Sequence, residues 1–212
     1  LNLHTIDDLW IDTPIGLTNA TEGRACDRLA RKMLNLHGKR RAASVFTPPS
    51  REALYCSNYE QANACNKALI GKGLSKQSWG IMPKMIELDS LLQQQVNLRG
   101  LIRECHPEVC FTALNGGVPM SHNKKTEDGF MERLLLLTRL MANTLNVIDS
   151  ALLKFPRKAL SRDDIVDALV VALSAKYSKD TLKTIPASPP VDELGIPMEM
   201  AFCIKNAHQR SY

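Results

Sequence analysis

Aromatic side chains are scarce, at 5% of this 212-residue chain. Reading a single strand of nucleic acid by serial base stacking needs several aromatic platforms, so that mode is disfavoured. No secretory h-region is visible, and no apolar run approaches the ~20 residues of a membrane span. The six cysteines (Cys26, Cys56, Cys65, Cys105, Cys110, Cys203) contain no C-x-x-C pair, and Cys105-His106 with Cys110 makes a poor metal cluster. Together these absences predict a reduced, cytoplasmic protein with no membrane partner. Nucleotide and esterase signatures are missing as well. There is no P-loop, no G-x-G-x-x-G and no G-x-S-x-G, and "GKGLSKQ" (71–77) lacks the Walker spacing. No helix-turn-helix, basic zipper, internal repeat or low-complexity segment stands out.

What is present is an ordinary globular composition, 44% hydrophobic and 23% charged. A compact fold of this mass hides roughly 70% of the surface that its extended chain exposes, so a full core is available. The net charge of +5 permits a phosphate-bearing partner without demanding one. "LWIDTPIGL" (9–17) reads as a strand closed by Pro14 and Gly16, with Asp12 at the strand's end. Residues 21–35 read as an amphipathic helix on which Asp27 can pair with Arg24, Arg28 or Arg31. "KRRAASVFTPPSR" (39–51) is a basic, proline-broken connector with an extended piece at 44–47. Helices are predicted over 52–70, over 75–95 with Pro83 as a kink or restart, over 126–153, and from Asp163 onward. Residues 100–105 read as a strand, followed by a short helix with Pro107 in its first turn that stops at Gly116. The tail offers one last strand. The pattern is α/β, richer in helix than in strand, with no clear domain boundary.

Three places put acids where packing alone would not. Asp12 ends an apolar strand; Glu104, His106 and Glu108 alternate around the end of another; Asp164 and Asp167 lie three apart on one helix. Brought together, such carboxylates suit hard divalent cations, Mg²⁺ or Mn²⁺, and two such cations about 4 Å apart can activate a water and stabilise the leaving oxygen in phosphodiester cleavage. Simpler roles compete. Ser161 with Asp164 fits a capping box, and Asp163 suits the helix dipole. His106 can cap the helix ahead of Pro107, and Asp12 can open an Asx turn. Asp167 lies beyond the first turn, amid Ile165, Val166, Leu169 and Val170, so capping does not explain it and an ion pair or a ligand must. Lys124, Lys125 and Arg51 are candidate phosphate contacts.

"IDTPIGL" (11–17), "RACDRLAR" (24–31), "SVFTPPSR" (44–51), "GLSKQSWGIMPKMIELD" (73–89), "ECHPEVCF" (104–111), "KKTEDGFMER" (124–133), "DDIVDAL" (163–169) and "GIPMEM" (195–200) run nearly the whole chain. In this order they resemble the domain-of-unknown-function family 429, described as predicted nucleases of the ribonuclease H fold. The resemblance implies one ribonuclease H-like domain over 1–212, a mixed sheet with flanking helices and a helical insertion at about 20–98. It implies a metal-dependent nuclease with nucleic acid as partner. Asp164 and Asp167 are similar to the paired aspartates of the RuvC-type helix motif, and Asp12 to the acid on the fourth strand. Glu104 or His106 would assist as a further ligand or proton acceptor. The fold's first-strand aspartate has no counterpart: Asp7 and Asp8 immediately precede the strand of Asp12 and are poor substitutes. That strand either lies upstream of Leu1 or is lost. In the second case the alternative is a non-catalytic module of the same fold that binds nucleic acid or a phosphorylated ligand.

Overall fold

The computed structural model describes residues 8–156, 158 and 160–204. Among them are eight α-helices and four short strands, an α/β chain dominated by helix as the sequence predicts. Asp7 lies outside the described residues.

The chain forms two compact units, each assembled from separated segments. The first takes residues up to Arg31, Ala43–Glu104 and Thr184–Ala201. The second takes Lys32–Ala42, Cys105–Lys183 and residues from Phe202.

In the first unit, β1 (Leu9–Ile11) pairs in parallel with β2 (Ile102–Glu104), Trp10 opposite Arg103 and Ile11 opposite Glu104. Both are three-residue strands, so the ladder alone holds little and burial does the rest. Leu9, Ile11 and Ile102 pack with Ile15, Leu88, Leu92, Leu98 and Ile196. Most of α1 (Ala25–Leu34), together with α2 (Arg51–Leu54), α3 (Tyr59–Ile70) and α4 (Lys76–Gln94), lies in this unit. The helix predicted over 52–70 is two helices. Asn58 caps α3 by accepting from the Gln61 amide at 2.9 Å, which starts a new helix where a continuous one was expected. α4 runs unbroken through Pro83, whose ring lies on the exposed side. The extended piece expected at 44–47 forms no strand.

In the second unit every residue of α5 (Pro107–Leu114) is buried, and α5 packs against α8 (Arg162–Tyr177). The helices α6 (Glu127–Leu140) and α7 (Thr144–Lys154) pack on α8 too. The single helix expected over 126–153 breaks at Met141–Asn143. There the buried Thr144 hydroxyl reaches the Met141 carbonyl at 2.6 Å and the Leu137 carbonyl at 3.2 Å. β3 (Leu182–Ile185), which the sequence reading does not anticipate, pairs with β4 (Met200–Cys203), the strand foreseen in the tail. No helix among the described residues is long and apolar enough to cross a membrane.

Candidate functional site

The start of α8 carries the two aspartates three apart. Ser161 caps the helix, and a full capping box forms: the Asp164 amide donates to the Ser161 hydroxyl, and the Asp164 carboxylate accepts from the Ser161 amide at 2.9 Å. The Ser161 hydroxyl and amide, with help from Lys124 and Lys125, hold the exposed Asp164 carboxyl below the usual carboxylate range. One turn on, Asp167 has a side chain only 13% exposed, and its Oδ2 accepts from the Lys124 ammonium at 2.5 Å. The carboxylate that capping leaves unexplained therefore meets a cation.

Lys124 reaches Asp167 because its loop is anchored from below. The Glu132 carboxylate accepts from the Ser121 amide at 2.7 Å and the His122 amide at 2.9 Å. Burial pulls Glu132 upward, but the His122 and Ser121 bonds outweigh it and keep the carboxyl below its ordinary value. The next residue, Arg133, is buried and donates to the His122 carbonyl at 3.2 Å. Its other nitrogens hold Glu108 Oε1 at 2.5 and 3.2 Å, a charge-assisted fork from α6 to the first turn of α5. The Asn123 carbonyl accepts from the Thr126 amide and hydroxyl. That carbonyl lies so close to Gly129 that a Cβ added there would sit 1.8 Å from it. Glycine is required by close approach here, since the helical backbone itself would tolerate alanine.

Glu104, His106 and Arg51 are taken up by other partners. Glu104, at the end of β2, is gripped by both Arg24 nitrogens at 2.6 and 2.7 Å and by the Ile15 amide at 2.6 Å. Arg24 also holds Asp27 at 2.6 Å and the Ile15 carbonyl at 2.9 Å. Burial works against the Arg24 charge, yet Asp27 and Glu104 overcome it and keep the guanidinium protonated. One cation between two carboxylates leaves an excess negative charge. Burial therefore outweighs the Arg24 bonds at Glu104 and pushes that carboxyl up to about 7. His106 caps α5, its Nδ1 accepting from the Glu108 amide at 3.2 Å. Arg51 is tied to Asp89 at 2.5 Å and to Asp192, whose carboxylate also accepts from the Leu17, Leu194 and Ile196 amides. Asp12 is exposed directly after β1, in the first unit, whereas Asp164, Asp167, Lys124 and Lys125 belong to the second.

The structure thus brings together Asp164, Asp167, Lys124 and Lys125. It gives Glu104 and Arg51 buried ion partners, and His106 a helix to cap. Sequence reading does not single out Glu132, Arg133 or Gly129. The available signal is a charged pair opening the "LLLL" run at 134–137, where a helix face otherwise buried must find partners for both. Among the described residues, no three His, Cys, Asp or Glu side chains gather in a way that could hold a metal ion. The donor type at the start of α8, two carboxylates one turn apart, is nonetheless the one a hard cation takes.

No curated protein and no solved structure matches this chain. A family model described as "Protein of unknown function (DUF429)" matches residues 2–191, and the chain belongs to that family.

Proposed function

We propose that this chain carries the aspartate face of a metal-dependent nuclease on a ribonuclease H-like scaffold, hydrolysing phosphodiester bonds in nucleic acid. One observation carries the reading: Asp164 and Asp167 lie one turn apart, with a lysine placed against Asp167 by a loop anchored through Glu132, Arg133 and Glu108. Such construction is more than a solvated surface loop needs. Asp164 and Asp167 would hold Mg²⁺ or Mn²⁺, which supplies an activated water and neutralises the leaving oxygen. Lys124 keeps Asp167 neutralised in the cation's absence. Once displaced from Asp167, its ammonium and that of Lys125 would contact phosphate oxygens.

The lack of a third metal-holding side chain among the described residues favours a second reading, a module of the same fold that binds nucleic acid without cleaving it. A Mn²⁺ titration by calorimetry, on the chain and on Asp167→Asn, separates the two. The nuclease reading expects saturable binding in the parent, lost in a mutant whose circular dichroism is unchanged, and Mn²⁺-dependent cleavage of an oligonucleotide. Equal or absent Mn²⁺ binding in both chains sinks it and leaves the binder.

A further inference from the structure

Between Asp27 and Glu52 the chain has seven Arg and Lys residues and no acid. Three of the seven are absorbed by the first unit. Arg28 holds the Glu22 carbonyl, Arg31 holds Val45 and Thr47, and Arg51 holds its two aspartates. Lys32, Lys39, Arg40 and Arg41 instead fall in the segment Lys32–Ala42, which belongs to the second unit with Lys124 and Lys125.

This segment is a tied turn. The Lys39 amide donates to the Leu36 carbonyl at 3.1 Å, the Arg41 amide to the Leu34 carbonyl at 3.3 Å, and the Ala42 amide to the Asn35 side chain at 3.2 Å. His37 sits in the left-handed region at φ 55° and ψ 31°, a conformation with a cost for a residue bearing a Cβ. The turn delivers Lys39 to the anchored loop, where its ammonium donates to the Ser121 hydroxyl at 2.8 Å, across 82 residues of sequence. Ser121 is the residue whose amide Glu132 holds. The basic run 39–41 is thereby fixed to the loop that goes on to carry Lys124 and Lys125.

We propose that Lys39 and Arg40, continued by Lys125, form a strip that binds the phosphodiester backbone of a nucleic acid and leads it to the Asp164–Asp167 face. An ammonium has three donors, and the Ser121 hydroxyl takes one from Lys39. Arg40 and Lys125 have exposed side chains. Lys125 stands close enough to Asp164 to act on its charge. Of the neighbouring acids, Glu132 is held by two amides, Glu127 by Arg162 and Asp167 by Lys124, whereas Asp128 stands exposed in the first turn of α6. A small phosphorylated metabolite calls for donors converging in a concavity, whereas these cations are spread along two adjoining loops. No Phe, Tyr or Trp lies in 37–41 or 121–126, so the strip reads phosphates without regard to sequence.

The inference rests on nucleic acid being the ligand in the proposed function, so it is tested without metal, where cleavage plays no part. Fluorescence anisotropy of a labelled DNA duplex in EDTA, over a series of salt concentrations, gives the slope of log K against log salt. Replacing Lys39 and Arg40 together by alanine should lower that slope by roughly 1.8, about 0.9 for each phosphate no longer neutralised. Lys125→Ala should lower it by about 0.9. Lys84→Ala, at an exposed position on α4, should leave it unchanged. Asp167→Asn should retain binding even where it abolishes Mn²⁺ uptake, which keeps the fate of the nuclease reading separate. A parent chain that does not bind DNA, or a double variant that is folded and keeps the parent slope, overturns the strip.

Discussion

Glu104 shows how one residue can be placed correctly by pattern and still differ in role from what the pattern suggests. It ends a strand, as a catalytic acid often does, but both its oxygens are turned to Arg24 and the Ile15 amide. The sequence reading pairs Asp27 with a neighbouring arginine, and Arg24 is that partner. It has no means of seeing that the same guanidinium also meets a carboxylate 80 residues away. The cluster predicts a pH dependence. Glu104 is pushed up to about 7, whereas an unfolded chain releases this proton near 4.3. Between those values the folded state holds more protons than the unfolded one, so stability should fall as pH rises from about 4.5 to about 7 and level off above. Urea midpoints across that window should show the decline in the parent and a flatter profile in Glu104→Gln. A parent whose stability rises over the window would mean that the Arg24 bonds win over burial at Glu104.

Elements were legible where local chemistry settles them and obscure where a distant contact does. The Ser161 capping box, Pro107 at the head of α5 and the apolar strand before Asp12 follow from spacing alone. The breaks in the predicted helices do not. Thr144 and Asn58 are ordinary residues in a helical pattern until their side chains take backbone partners. Gly129 belongs with them. A glycine in a helix is normally about 1 kcal/mol worse than alanine, so Gly129→Ala would be expected to stabilise α6. The Asn123 carbonyl reverses that sign, because a methyl group has no room beside it. Gly129→Ala should cost roughly 1–3 kcal/mol in urea unfolding, in the range of overpacked sites. It should also speed hydrogen exchange at the Ser121 and His122 amides, since the loop they anchor must shift. A stabilised variant with unchanged exchange would show that the loop is not held where Glu132 and Arg133 place it.

At the scale of the whole molecule, the absence of a visible boundary has a physical reason. Four of the five passages between the two units fall inside α1, between β2 and α5, and within β3 and β4, where no linker with its own composition marks them, and the fifth, after Ala42, falls in the basic stretch 39–51. Hydropathy reads neighbours along the chain, whereas each unit is gathered from three stretches, and the basic turn at 37–41 reads as a connector until Lys39 is seen on Ser121. The candidate site shares this history. Its aspartates were legible as a spaced pair on a helix, but the loop that puts Lys124 on Asp167 depends on α5 and α6 together. The same weave makes a prediction for a fragment. Residues 105–183 contain α5 to α8, yet omit Lys32–Ala42 and the chain from Phe202 in β4, which complete the unit. Such a piece keeps helical propensity but ends inside β3 and lacks its partner strand, and the apolar surface that the missing segments cover returns to water. Expressed alone, it should show helical circular dichroism without a sigmoidal urea transition. A sharp, cooperative transition in the fragment would mean that packing of α5, α6 and α7 on α8 suffices, and that the crossing segments add only the basic turn.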